Sequence, residues 1–78
     1  MPSILREGPY RFYFYSSDRS EPPHVHVRRD ACSAKIWLDP VQLHYSAGFG
    51  RRETVRIIAL VWEHHRRLLG AWNEFLKG

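Results

Sequence analysis

Two histidines that are two residues apart have the type and spacing that best suit chemistry in this sequence. His24 and His26 lie in the block EPPHVHV, where polar and apolar residues alternate as in a β-strand. Residues i and i+2 of a strand share one face, so the two imidazoles are predicted to project side by side. Such a pair can act as general acid and general base near neutral pH, or can supply two ligands to a divalent metal.

The residues around this pair offer groups that act on a charged substrate. Arg28 lies on the same predicted face and Lys35 on the next predicted strand. Cations beside two histidines bind phosphate and stabilise negative charge that develops on it, as ribonuclease chemistry requires. Asp18 and Glu21 precede the pair on a predicted loop, and Trp37 could stack on a base if it is exposed. We therefore predict that His24 and His26 are catalytic and that the other five residues bind substrate.

Two other interpretations of the histidine pair remain open. A strand whose exposed face happens to carry histidines needs no function for them. A metal site requires at least one more ligand, and the sequence does not determine which residue supplies it. We therefore predict no metal and no other cofactor, and keep a metal-binding domain as an alternative. The two prolines before His24 restrict the loop, which reduces the entropy lost when the histidines are held in place.

The elements that position the pair are predicted to form an α+β fold, an antiparallel sheet of three to four strands packed against one long C-terminal helix. Residues 4–6 and 10–16 form a hairpin around Gly8 and Pro9. The histidine strand and the strand AKIWL form a second hairpin, and residues 41–45 add a short extended segment. All strands thus lie within about residues 3–45.

Helical periodicity begins at about residue 51 and continues to about residue 75. A helix of this length would extend nearly 40 Å, and Gly70 is the position where we expect it to kink or fray. The residues predicted to form its buried stripe are Val55, Ile58, Val61, Trp62, His65, Leu68, Leu69, Trp72 and either Phe75 or Leu76.

Composition limits the classes of protein to which the chain can belong. Its 78 residues are 44% hydrophobic, which predicts one ordered domain over residues 1–78. The single cysteine, Cys32, cannot form an internal disulfide, and no signal-peptide core is evident, so we expect a cytoplasmic protein. No apolar run approaches the roughly 20 residues that span a bilayer, so we predict no membrane association. The net charge of +4 favours a polyanion or an acidic protein as partner.

Over nearly its whole length the chain resembles a family of small bacterial proteins known as domain of unknown function 4160. The resemblance rests on MPSILREGPYRFYFYSSD, EPPHVHV, AKIWLDPV, GFGRRETVRII and AWNEF, of which EPPHVHV is the most specific. The sequence departs from the family pattern at Ala31 and Cys32, where a glycine-bearing turn is usual, and at Gly50, where a serine cap is commoner.

The resemblance implies a partner and a target. Such proteins are often encoded beside another small protein in an arrangement similar to a toxin–antitoxin pair, which implies an antitoxin-like partner protein and an RNA target. The positions that the resemblance singles out are Asp18, Glu21, Pro22, Pro23, His24, His26, Lys35, Trp37 and Leu38.

Our leading hypothesis is a toxin-like component of a two-protein module that binds or cleaves RNA at the histidine pair. It predicts that His24→Ala or His26→Ala abolishes activity and leaves the thermal melt nearly intact. The alternative is a non-enzymatic interaction module whose basic helix and tryptophans bind an acidic partner or a second copy of the chain.

Overall fold

An antiparallel sheet and two helices make up the fold. The structure, a computed structural model, describes residues 3–15 and 19–77. The sheet has five strands in the order β1-β2-β3-β4-β5, so each strand pairs with its neighbours in the chain. The elements are β1 (Ser3–Glu7), β2 (Tyr10–Tyr13), β3 (His24–Arg29), β4 (Cys32–Leu38), β5 (Val41–Ala47), α1 (Arg51–Glu63) and α2 (His65–Lys77).

The predicted α+β class and antiparallel sheet are confirmed, but the predicted strand number is too low. Both predicted hairpins are present, as β1–β2 and β3–β4. The short extended segment after Pro40 forms β5, which pairs with β4 along its length and reaches Ala47. Residues 41–47 have only a weak strand pattern of their own, but β4 offers them a full row of backbone hydrogen-bonding groups. This pairing makes them the fifth strand.

Short turns hold these strands in register. The β3–β4 turn uses Asp30 with a φ of 54°, a conformation that aspartate tolerates, so the turn needs no glycine at Ala31. Gly48, after β5, has a φ of 91°, and a Cβ there would lie 2.8 Å from Cys32 Sγ. The positive φ, together with this close approach, favours glycine at position 48.

The C-terminal region contains two helices rather than the one long helix that was predicted. The break lies at His64, whose φ of −104° and ψ of 17° depart from helical values, and not at Gly70. A single helix of about 40 Å would exceed the 35 Å longest dimension of the molecule. The break allows α1 to contact β5 and α2 to contact β4.

One face of the sheet and the two helices enclose the core. The valines of β3 point into it, as the alternation predicted, whereas Val55 and Trp62 of the predicted helix stripe are exposed. In α1 the buried residues are Ile57 and Val61, so the predicted stripe is confirmed at Val61 but missed Ile57. In α2 its members Leu68 and Trp72 are buried as predicted. The core cluster comprises Leu5, Tyr10, Phe12, Phe14, Val25, Val27, Ile36, Leu38, Ile57, Val61, Leu68 and Trp72.

No helix within residues 3–15 and 19–77 combines the length and the apolar character needed to cross a bilayer.

An ion pair joins the sheet to the first turn of α1. Arg29 on β3 donates from Nε and Nη2 to the two carboxylate oxygens of Glu53, at 2.6 and 2.8 Å. The Tyr10 hydroxyl donates to Glu53 Oε2 at 2.8 Å. These hydrogen bonds, from Arg29 first and then Tyr10, hold the pKa of Glu53 below its ordinary value of 4.5.

We expect Glu53→Gln to lower the melting temperature at pH 7 by a few degrees, because it removes a bidentate ion pair. Since the folded pKa of Glu53 lies below the unfolded one, the stabilisation is complete above the unfolded pKa and disappears as the pH falls through the folded pKa. Melting curves from pH 7 down to pH 3 should therefore show the wild type and variant converging. Asp39→Asn, which replaces an exposed carboxylate between β4 and β5, is the control and should change little. If the difference in melting temperature between wild type and Glu53→Gln stays constant as the pH falls, the ionised Glu53 carboxylate is not the source of the stabilisation.

Candidate functional site

The face of the sheet that points away from α1 carries the predicted site, and we call it the histidine face. Strand residues alternate between faces, so the β3 residues on either side of the buried valines, His24, His26 and Arg28, lie on the histidine face. Cross-strand pairing arranges its side chains in rows, with partners on adjacent strands directly opposite each other. The rows are Arg6, Arg11 and Arg28; Tyr13, His26, Lys35 and Tyr45; and His24, Trp37 and Gln42.

His24 is completely buried at the start of β3, with 0% of its surface exposed. Its Nδ1 lies 2.9 Å from the Pro22 carbonyl oxygen, which can only accept, so Nδ1 carries the proton. Its ring lies 5.1 Å from that of His26, 5.5 Å from Trp37 and 5.0 Å from Trp72, measured between centroids. Pro22 thus holds the imidazole through its backbone carbonyl and sets the tautomer.

His26 is also shielded, with 6% exposure. Its ring stacks on Tyr13 at 5.5 Å with an interplanar angle of 19°, and the edge of Tyr15 approaches it at 4.6 Å. Burial, and then the hydrogen bond with Tyr15, raise the pKa of the Tyr13 phenol to about 12. Tyr13 is therefore a neutral phenol at physiological pH and serves as a platform for the imidazole.

The structure brings Lys35, Glu21 and Trp37 together beside His24. The Lys35 ammonium pairs with the Glu21 carboxylate and lies 4.8 Å from the centroid of the Trp37 ring. Glu21 Oε1 is also 3.7 Å from His24 Nδ1. Four of the predicted site residues thus form one cluster in which the charge of Lys35 is already neutralised. Asp18 lies outside the described residues.

The arginine row was only partly predicted. Arg28 was singled out from the sequence, but Arg6 and Arg11 were not, because only the pairing of three strands places them beside it. All three are exposed, and within residues 3–15 and 19–77 no carboxylate oxygen lies within 4.0 Å of any of them. A cleft of about 280 Å³ opens beside the row, lined also by Pro9, Arg29 and Asp30.

The histidine pair does not acquire a third metal ligand from the part of the chain that the structure describes. There, the one grouping with ligand atoms close enough to share an ion is Glu7, Glu63 and His64, whose atoms lie within 4.8 Å of one another. His64 Nε2 is 3.0 Å from Glu7 Oε1, an ion pair when the histidine is protonated. The sequence assigned no partner to His64, because Glu7 is far away along the chain.

One family model matches the chain. It is described as Domain of unknown function (DUF4160) and covers residues 10–73, which include β2 to β5, α1 and most of α2. Apart from Arg6, the three rows of the histidine face lie within the matched region. Neither a curated protein nor a solved structure matches the chain.

Proposed function

The chain belongs to the family described as Domain of unknown function (DUF4160), and from this premise and the geometry of the histidine face we propose that it binds single-stranded RNA. The observation that carries the proposal is a row of exposed arginines next to a row that ends in an exposed aromatic ring. Single-stranded RNA offers backbone phosphates and unpaired bases to a protein, and these rows suit both.

The arginine row supports phosphate binding because it is costly to the fold. Like charges directly opposite on neighbouring strands are destabilising, and here Arg11 faces both Arg6 and Arg28. Strands lie about 4.7–4.9 Å apart, so the backbone positions of the three arginines span about 10 Å across the sheet. A phosphate backbone supplies the negative charge that this row lacks, and guanidinium groups bind phosphate oxygens in a bidentate manner.

Exposed tyrosines support contact with unpaired bases. Tyr45, at the end of the middle row, is 45% exposed, and Tyr15 is 39% exposed. Bases of single-stranded nucleic acid stack on such rings, with a contribution of about 1–3 kcal/mol per base. The bases in a duplex stack on each other, so this surface suits single-stranded RNA better than duplex RNA.

The burial of His24 favours binding over cleavage. A general acid and a general base must each come within hydrogen-bonding distance of the substrate, and His24 is enclosed by His26, Trp37 and Trp72. We therefore assign the two histidines to the support of the RNA-binding surface. The role of a toxin-like component with a protein partner rests on the family resemblance and stays part of the proposal.

Replacement of arginines in the row should weaken RNA binding and its dependence on salt. Binding of a fluorescently labelled single-stranded RNA would be followed by anisotropy at several salt concentrations for wild type, Arg11→Gln and Arg28→Gln. Each loss of a phosphate contact should reduce the slope of log K against log salt concentration by about 0.7. Tyr45→Ala should weaken binding by about 1–3 kcal/mol with the slope unchanged.

Arg67→Gln is the matched control, because it removes the same charge from an exposed position on α2. The proposal would be contradicted if Arg67→Gln and Arg11→Gln lost the same amount of RNA affinity. It would also be contradicted if the wild type did not bind the RNA at low salt. The toxin-like role is tested by induction in a bacterial host, where the wild type should arrest growth and Arg11→Gln should not.

A further inference from the structure

The outer side of α1 carries an exposed apolar stripe. Its tryptophan, Trp62, contacts the His65 ring at a centroid distance of 5.5 Å. Val55 is 63% exposed and Trp62 is 58% exposed, with the exposed Ala59 between them. Their spacing of i, i+4 and i+7 places them on one side of the helix. We call these three residues the α1 stripe.

The stripe is separate from the core contact of the same helix. Ile57 and Val61 meet the sheet, with 1% and 0% exposure, so the fold does not need Val55 or Trp62 for burial. A tryptophan ring is among the largest apolar surfaces that a residue can offer, and tryptophans are enriched among the residues that dominate binding energy at interfaces. An exposed apolar stripe on a helix is the recognition surface that a second amphipathic helix uses.

Charge around the stripe identifies the kind of partner. Arg51, Arg52 and Arg56 lie next to Val55 and Ala59 on the helix, and all three are exposed. In the described ranges no carboxylate oxygen lies within 4.0 Å of any of them, because Glu53 is held by Arg29 and Tyr10. The stripe is therefore bordered by three arginines that form no ion pair with a carboxylate of the described residues.

We infer that the α1 stripe binds an acidic amphipathic helix of a partner protein. The apolar face of that helix covers Val55, Ala59 and Trp62, while flanking aspartates or glutamates pair with the arginines. A second copy of the chain fits less well, because α1 and the first turn of α2 carry exposed arginines at five positions: Arg51, Arg52, Arg56, Arg66 and Arg67. This surface is on α1, so the inference does not depend on RNA binding by the histidine face.

A designed peptide tests the inference on the intact protein. The peptide carries leucine at i, i+4 and i+7, glutamate at the positions that flank these leucines and alanine elsewhere, because alanine favours a helix. Its binding is measured by titration calorimetry and tryptophan fluorescence. We expect Trp62→Ala to weaken binding at least tenfold, and Arg52→Glu with Arg56→Glu to weaken it further. A peptide in which lysine replaces glutamate should not bind. Because the substituted side chains are exposed, the variants should melt within a few degrees of the wild type.

Cross-tests separate this inference from the proposed function. Arg11→Gln should leave peptide binding unchanged, and Trp62→Ala should leave RNA binding unchanged. Absence of binding to the glutamate peptide, or equal binding of the lysine peptide, would overturn the inference. Dimers in sedimentation experiments that Trp62→Ala dissociates would overturn it in favour of a second copy, and loss of RNA affinity in Trp62→Ala would overturn it in favour of RNA.

Discussion

Replacement of Trp72 by alanine is expected to destabilise the protein by about 3–5 kcal/mol. The side chain is 1% exposed, and its ring meets that of Phe14 edge-on at a centroid distance of 5.1 Å and that of His24 at 5.0 Å. Trp72 therefore fastens α2 to the end of the sheet where β3 begins. A chain of this size is stable by about 4–12 kcal/mol, so the substitution removes a large part of the total.

Urea denaturation of Trp72→Ala, followed by circular dichroism, measures this effect. Trp62→Ala is the matched control, because it deletes the same side chain at an exposed position of α1 and should change stability by no more than about 0.5 kcal/mol. Similar losses in the two variants would contradict the assignment of Trp72 to the core and of Trp62 to the surface.

His24→Ala is expected to cost about 2–4 kcal/mol of folding free energy. The substitution leaves a cavity among Trp37, Trp72 and His26. It also removes the hydrogen bond between the imidazole Nδ1–H and the Pro22 carbonyl oxygen. The acid–base hypothesis predicts instead that the thermal melt is nearly unchanged, so a melting curve distinguishes the two roles.

His44→Ala is the control for His24→Ala. His44 is exposed on β5 and contacts Trp37 at a centroid distance of 5.0 Å, so its removal deletes an imidazole without opening a cavity, and the melt should stay close to that of the wild type. If His24→Ala melts like the wild type and abolishes growth arrest, the structural role is wrong and catalysis at the histidine pair becomes the better explanation.

The β3 strand illustrates how far local pattern can predict a site. Alternation in HVHVRR predicted correctly that the two valines face the core and that His24 and His26 share the other face. The pattern did not reveal that both histidines are shielded. Their burial depends on Tyr13, Tyr15, Trp37 and Trp72, which come from other segments of the chain.

In the C-terminal region too, the sequence pattern predicted the secondary structure, whereas packing against the sheet decided which residues are buried. Periodicity predicted helix over residues 51–75, and nearly all of these residues are helical. The break at His64 and the exposure of Val55 and Trp62 were not predicted, since the region has apolar residues at two overlapping helical phases. The position of the sheet decides which phase is buried, and Ile57 and Val61 are the residues that reach it.

The sequence by itself determined the fold class, the two hairpins, the inward valines and the face shared by the two histidines. These features follow from steric and hydrophobic preferences between residues that are close along the chain. Only the tertiary structure decided the arginine row, the enclosure of His24 and the exposed α1 stripe. Each depends on register or packing between distant segments, because a row across a sheet exists only after separate strands have paired.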